Sequence, residues 1–302
     1  MTRPSRRAIV NSMIAAAVST AAVMLPRRPA QAAPMAGDDA MWVWGDRIAQ
    51  PEPALAGFAE AAGVGRLFVY VGPAEAEALA SGRRDAIEAL ALLRARGASI
   101  FAAAGEPEWA SPGILRFPEH AAMLARLPSS VPGIDGVHLD VEPHALAEWN
   151  QAEGRARLSA GLLRFLDGLR AAAPGATIDA AINPVYATTF TGGESLAAAV
   201  ARRVDAVSVM AYRSSPARAV AWAAPAAEAI CSVKRKWRLG VLSGDGEPGT
   251  SWAGRSAQDF RKGMDALRAL EAAEGGGRCC IGLAYQDYDS LARLLSLEGN
   301  DR

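Results

Sequence analysis

Between Gly133 and Pro143 the chain reads Gly-Ile-Asp-Gly-Val-His-Leu-Asp-Val-Glu-Pro. Val137, Leu139 and Val141 alternate with His138, Asp140 and Glu142. A strand sends successive side chains to opposite faces, so one face is apolar and the other carries an imidazole and two carboxylates, about 7 Å apart per step. An ordinary sheet core does not tolerate unpaired charge. The pattern points instead to a barrel strand that runs into an active site. Two carboxylates on one face repel when both ionise, and one pKa rises. A carboxylic acid kept protonated near neutrality can donate a proton to a leaving oxygen, while its neighbour orients or stabilises a second group. The competing reading is a structural pair satisfied by Arg213 or by loop amides.

The elements that position this strand follow from the rest of the chain. Short apolar runs alternate with longer amphipathic ones. The strand candidates are 41–45, 67–71, 99–105, 136–142, 177–183, 206–212, 237–243 and 279–286. Helical patterns cover 53–63, 84–97, 117–126, 145–172, 194–203, 217–233, 255–273 and 288–297, with Gly97, Gly175 and Gly275 at expected helix stops. Eight alternations predict an α/β fold, a single closed (β/α)8 TIM barrel over residues 38–298. A doubly wound open sheet is the alternative. It would favour a glycine-rich nucleotide loop after an early strand, where this chain has Asp46-Arg47-Ile48. Strand ends build the active site of a barrel. The polar and aromatic residues expected there are Trp44, Glu106, Trp109, Asn183, Tyr186, Tyr212, Arg213, Glu247, Tyr285 and Gln286.

Asp135-Gly136-Val137-His138-Leu139-Asp140-Val141-Glu142 resembles the Asp-Gly-x-Asp-x-Asp-x-Glu signature of glycoside hydrolase family 18, the chitinase-like barrels. Val209-Met210-Ala211-Tyr212 is similar to that family's strand-six Met-x-Tyr-Asp motif. The resemblance implies that Glu142 is the general acid, that Asp140 orients the substrate's N-acetyl group, whose carbonyl is the nucleophile, and that Tyr212 contacts the acetamido group. The chain departs from the pattern at three places. His138 replaces an Asp, Arg213 replaces the Asp after Tyr, and the last strand offers Tyr285 or Gln286 where the family has Trp. The His-x-Asp-x-Glu-Pro form of strand four resembles that of exported bacterial barrels.

Other chemistry competes on the same scaffold. Retaining glycosidases of the larger barrel clan place the acid on strand four before a Pro, as Glu142-Pro143 would, and the nucleophile on strand seven, where Glu247 is the nearest Glu. Carboxyl groups about 5 Å apart imply retention, and about 6.5–9.5 Å inversion. A metal-dependent hydrolase would use His138, Asp140 and Glu142, with His144 on the same parity, but parallel side chains on one strand converge poorly on one ion. No metal and no cofactor are expected. Trp44, Trp109, Tyr186, Tyr212, Trp252 and Tyr285 lie near predicted strand ends, and sugar rings pack on aromatic faces. The expected partner is therefore a carbohydrate substrate. The expected activity is glycoside hydrolysis, with a carbohydrate-binding barrel that has lost catalysis as the non-enzymatic alternative.

The 302 residues carry 32 basic and 32 acidic side chains. Residues 1–32 hold five arginines and no acid, so the remainder carries about five net negative charges. That balance, with no basic patch and no phosphate loop, argues against a nucleic-acid partner. Ser5-Arg6-Arg7, the apolar run from Met13 to Leu25 and Ala30-Gln31-Ala32 predict a twin-arginine-like signal peptide over residues 1–32. Its cleavage would leave a periplasmic or secreted protein with no membrane span. Cys231, Cys279 and Cys280 lack metal spacing and read as small buried hydrophobes. A Cys231 bridge to one of the pair is the alternative in an oxidising compartment.

Overall fold

A computed structural model describes residues 38–111, 118–273 and 279–296. The predicted signal peptide and residues 112–117, 274–278 and 297–298 of the predicted domain, the expected helix stop Gly275 among them, lie outside these. Eight strands form a closed, all-parallel barrel: β1 (Ala40–Val43), β2 (Arg66–Tyr70), β3 (Ser99–Ala104), β4 (Gly136–Leu139), β5 (Thr177–Ile182), β6 (Ala206–Val209), β7 (Lys236–Leu242) and β8 (Cys280–Gln286). Each strand pairs with the next in the chain, and β8 closes on β1 through Ala40–Ala284 and Met41–Tyr285. The expectation of a closed (β/α)8 barrel is met.

The helices are α1 (Pro53–Ala61), α2 (Pro73–Ala80), α3 (Arg84–Leu93), α4 (Glu119–Ser130), α5 (Ala152–Ala172), α6 (Leu196–Ala201), α7 (Pro216–Ser232), α8 (Ala257–Ala273) and α9 (Tyr288–Ser296). Pro53, Pro73 and Pro216 start α1, α2 and α7, where a missing N–H costs nothing. A two-stranded hairpin, Phe190–Thr191 with Glu194–Ser195, precedes α6. Among the described residues no helix is long and apolar enough to cross a membrane.

Two cores follow from strand alternation. Outward residues such as Val69, Ile100, Val137, Leu139, Ile182 and Val241 pack beneath the helices. Inward residues Ala40, Trp42, Phe68, Phe101, Ala103, Ala181, Met210 and Ala284 fill the barrel. The interior is also charged. Buried Asp179 on β5 accepts a hydrogen bond from Arg238 Nη1 on β7 at 2.7 Å and one from Arg66 Nη1 on β2 at 3.4 Å. Burial alone would raise the Asp179 pKa, but Arg238, then His138 and Arg66, hold it down to about 2. The polar face of β4 is therefore answered across the barrel by charges on other strands.

The cysteine expectation is corrected. Cys231 at the end of α7 and Cys279 before β8 form a disulfide with Cα atoms 5.9 Å apart, and Cys280 alone keeps a free thiol. The alternative of a Cys231 bridge to one of the pair is the one realised: the partners lie 48 residues apart and meet when α7 and β8 flank β7.

Candidate active site

Strand β4 ends at Leu139, three residues earlier than the alternation predicts. Pro143 starts a 3-10 turn, Pro143–Ala145, and restricts Glu142 before it. Asp140 and Glu142 thus sit on the lip of the barrel at the C-terminal end of the strand. Asp140 N–H donates to Ala104 O at 3.0 Å, which continues the β3–β4 ladder one step. Gly105 allows this approach: a Cβ there would stand 2.2 Å from the Asp140 carbonyl. The Glu142 side chain is 33 % exposed, so the acid reaches solvent. Burial, then the Glu142 charge, pushes the Asp140 carboxyl up to about 7, and burial also raises Glu142. Asp140 Oδ1 is buried without a hydrogen-bond partner.

Around the carboxylates the structure brings together Tyr212, Tyr186, Asn183 and His144. Burial, then Asp140 and Glu142, raises the Tyr212 pKa well above its usual range; Asp287 adds to this. Burial, then Glu142 and Asp140, does the same for Tyr186. Asn183 Oδ1 accepts from Val185 N–H at 3.0 Å, so its Nδ2 donates to His144 Nε2 at 3.1 Å. That bond fixes the neutral Nδ1–H tautomer, with Nδ1 3.4 Å from the Tyr186 hydroxyl. His144 Nε2 lies 4.0 Å from Glu142 Oε1, and burial lowers the pKa of the ring. On the other side of the lip, Trp44 and Tyr70 stand with ring centroids 6.2 Å apart, and Glu106 and Asp46 act on Tyr70 through their charge. Gln286 shares the inward parity of Ala284, and its Oε1 is buried without a donor.

The backbone folds as TIM barrels of diverse activity do. No protein-family model matches the sequence, and no curated protein does. Among solved structures, a glycoside hydrolase family 18 chitinase from Pseudoalteromonas aurantia aligns with a TM-score of 0.54 at 14 % identity, over 85 % of this chain and 99 % of that one. The fold is that of a chitinase-like TIM barrel. An endoglucanase from Pseudomonas stutzeri aligns at 0.51 and 12 % identity, over 82 % of this chain and 84 % of that one. A protein assigned as a deoxyribose-phosphate aldolase from Toxoplasma gondii aligns at 0.50 and 12 %, over 85 % and 91 %. Such likeness fixes architecture; the chemistry must come from the site.

Several expected site residues lie elsewhere. His138 is 0 % exposed inside the barrel, stacked on Phe68, with Nε2 accepting from Trp42 Nε1 at 3.0 Å and Nδ1 3.4 Å from Asp179 Oδ1. It braces the barrel floor and touches no cleft. A metal set built on it loses its imidazole, and no group of three candidate ligands exists among the described residues. Tyr285 points outward, its hydroxyl donating to Asp39 Oδ2 at 3.0 Å. Trp109 packs between Phe165 and His120, and Trp252 lies against Phe260. Arg213 Nη1 donates to the Tyr212 backbone carbonyl at 2.7 Å, and its guanidinium lies 5.1 Å from the centre of the Trp222 ring. Glu247 is an exposed loop residue whose carbonyl accepts from Thr250.

Sequence reasoning passed over Tyr70 and weighed His144 only as a metal ligand. The signal for Tyr70 was available: it shares the parity of inward Phe68 at the last position of β2. Asp287 follows the last strand directly, and its Oδ1 caps α9 by accepting from Ser290 N–H at 2.9 Å.

Proposed function

We propose that this chain is a glycoside hydrolase that cleaves an O-glycosyl bond of a poly- or oligosaccharide, with Glu142 as the general acid. The observation that carries the reading is the pair of carboxyls at the end of β4, both with raised pKa, one of them one-third open to solvent. Protonated Glu142 donates to the leaving oxygen as the glycosidic C–O bond breaks, and water finally takes that oxygen's place at the anomeric carbon and returns a proton to Glu142. Asp140 is the second carboxyl, and Tyr212 and Tyr186 lie within reach of the charge of the pair. The inward positions of β7 are Arg238, Gly240 and Leu242, so that strand offers no carboxylate to the lumen. This favours an Asp140-dependent route over a nucleophile at Glu247. The fold likeness to a chitinase and an endoglucanase supports a carbohydrate substrate without naming the sugar. Export is part of the proposal, and the Cys231–Cys279 disulfide supports an oxidising compartment.

Hydrolysis of an aryl-glycoside and oligosaccharide panel tests the proposal. Glu142→Gln is expected to lower kcat by about 10²–10⁴-fold, the range of a general acid. Unchanged turnover removes Glu142 from that role. Glycan binding with no hydrolysis of any substrate replaces the enzyme with a carbohydrate-binding barrel. A large loss in Asp140→Asn with Glu247→Gln harmless supports the Asp140 route; the reverse outcome supports a nucleophile beyond β7.

A further inference from the structure

Glu142 and Asn183 occupy matching positions on neighbouring strands. Leu139 on β4 pairs with Ala180 on β5, and each of the two residues stands three positions further along its own segment. Each is followed by a proline that opens a 3-10 turn, Pro143–Ala145 after β4 and Pro184–Ala187 after β5. His144 belongs to the first turn. Its two ring partners, Asn183 and Tyr186, belong to the second, which Asn183 caps. A neutral imidazole has one lone pair, here on Nε2, and Asn183 Nδ2 fills it at 3.1 Å. The amide is held in this sense because its Oδ1 accepts from Val185 N–H at 3.0 Å.

Glu142 Oε1 lies 4.0 Å from the same Nε2, just outside hydrogen-bond reach. With that lone pair open, a small rotation of Glu142 would let its O–H bond break and the proton pass to Nε2. The products, a carboxylate and an imidazolium, stabilise each other, and the acid would be lost before a substrate arrived. Glu142 is the one carboxylate within ion-pair distance of the ring among the described residues. The Tyr186 hydroxyl faces Nδ1, and the uncharged Trp149 ring stands 6.3 Å away. The turns at Pro107–Ala110 and Ala147–Asn150 and the start of α5 pack against this one. Their charged groups, Glu108, Glu148, Glu153 and Arg155, make no ion pair or hydrogen bond with the imidazole.

Resting on the hydrolase reading, we propose that Asn183 is a positioning residue that keeps the catalytic proton on Glu142, by filling the one lone pair of His144 that could take it. Asn183 acts here through the imidazole, and burial of the ring works in the same direction by disfavouring its charged form.

Asn183→Asp replaces the donor by an acceptor of nearly the same shape. One carboxylate oxygen still accepts from Val185 N–H, and the other calls for a proton on His144 Nε2. NMR of the full chain reads both ends without substrate: imidazole 15N shifts for the ring and the side-chain carboxyl 13C shift for Glu142, assigned with His144→Gln and Glu142→Gln. The chain has three histidines, and His120, whose Nε2–H donates to Val71 O at 2.8 Å, is the reference for the opposite tautomer. Wild-type His144 is expected neutral at neutral pH, with its proton on Nδ1. In Asn183→Asp the ring should be charged there, and the Glu142 midpoint should fall by about 1–3 pH units, the effect of an opposite charge at this distance. The alkaline limb of kcat/KM should move to lower pH with it. An added negative charge by itself raises the midpoint, and in a His144→Gln background Asn183→Asp should do only that. Asn183→Ala opens the lone pair without a new charge and should shift Glu142 downward by less. A wild-type ring protonated on Nε2, or a Glu142 midpoint that stays or rises in Asn183→Asp, overturns the proposal. If Asn183→Asp does not fold, the wild-type tautomer and Asn183→Ala decide in the same way. Turnover of an aryl glycoside with an unmoved Glu142 midpoint sinks this inference and leaves the hydrolase standing. A lowered midpoint with no turnover of any substrate does the reverse.

Discussion

Replacing Asp140 with Asn tests the electrostatics of the lip without reference to any substrate. The folded chain holds the Asp140 proton to about pH 7, against an ordinary value of 3.8. Between those two values the folded state binds one proton that the unfolded chain has released. Stability therefore falls as pH rises through this window: the contribution is complete below the unfolded pKa and gone above the folded one. A gap of roughly three pH units corresponds to about 3–4 kcal/mol. Urea unfolding of the wild type and Asp140→Asn across this window supplies the assay, because the difference between the two curves cancels the titrating groups that do not interact with Asp140. The variant should gain on the wild type by most of that amount on going from the acidic to the alkaline end, even as it loses activity. A pH-independent difference would mean that Asp140 ionises normally in the fold, and the pair of carboxyls with raised pKa behind the proposed function would lose one of its two members.

Asp179→Asn removes the counter-charge of Arg238 inside the barrel and should cost about 3–5 kcal/mol, measurable by chemical denaturation. The same group makes acid unfolding sensitive to this pair: the stabilisation is present above the ordinary carboxylate pKa and is lost as pH falls through about 2. Gly105→Ala would place a Cβ 2.2 Å from the Asp140 backbone, so the end of β4 must shift. A loss of about 1–3 kcal/mol is expected from the forced fit, with a fall in kcat beyond what stability explains; normal activity would show that the lip tolerates movement. Cys231→Ser opens a 48-residue loop and should lower stability by about 2–4 kcal/mol, matched by adding reductant to the wild type.

The barrel was legible because its strands are buried on both faces and read as apolar runs, and because Gly and Pro punctuate the helices. Helix α2 was missed although Pro73 and the Ala/Glu run after it carry a helix signature; it was absorbed into a loop between two longer patterns. The position of Glu142 beside Asp140 at the mouth of the barrel could be anticipated from alternation alone. The fate of His138 could not, because strand parity says that a side chain points inward but not how deep in the lumen it stops. Trp109, Trp252 and Tyr285 failed for a related reason. Lying near the end of a strand does not distinguish the lip from the helix layer, and Gly263 leaves room for the Trp252 ring to lie on α8. Arg213 was expected at the substrate because it follows Tyr212, yet its guanidinium is taken up by the Tyr212 carbonyl and the Trp222 ring.

The salt bridge across the lumen also bears on how the chain can be divided. Asp179 belongs to β5 and meets its main cation only when β7 is present, 59 residues further on. A fragment ending before Lys236 would leave that carboxylate in a greasy interior with only the longer contacts to Arg66 and His138, each at 3.4 Å. The two halves of this cylinder are therefore not interchangeable modules, and a polypeptide emerging in sequence gains nothing by rounding off its first half early. Closure is rewarded late, when the seventh segment arrives with its guanidinium.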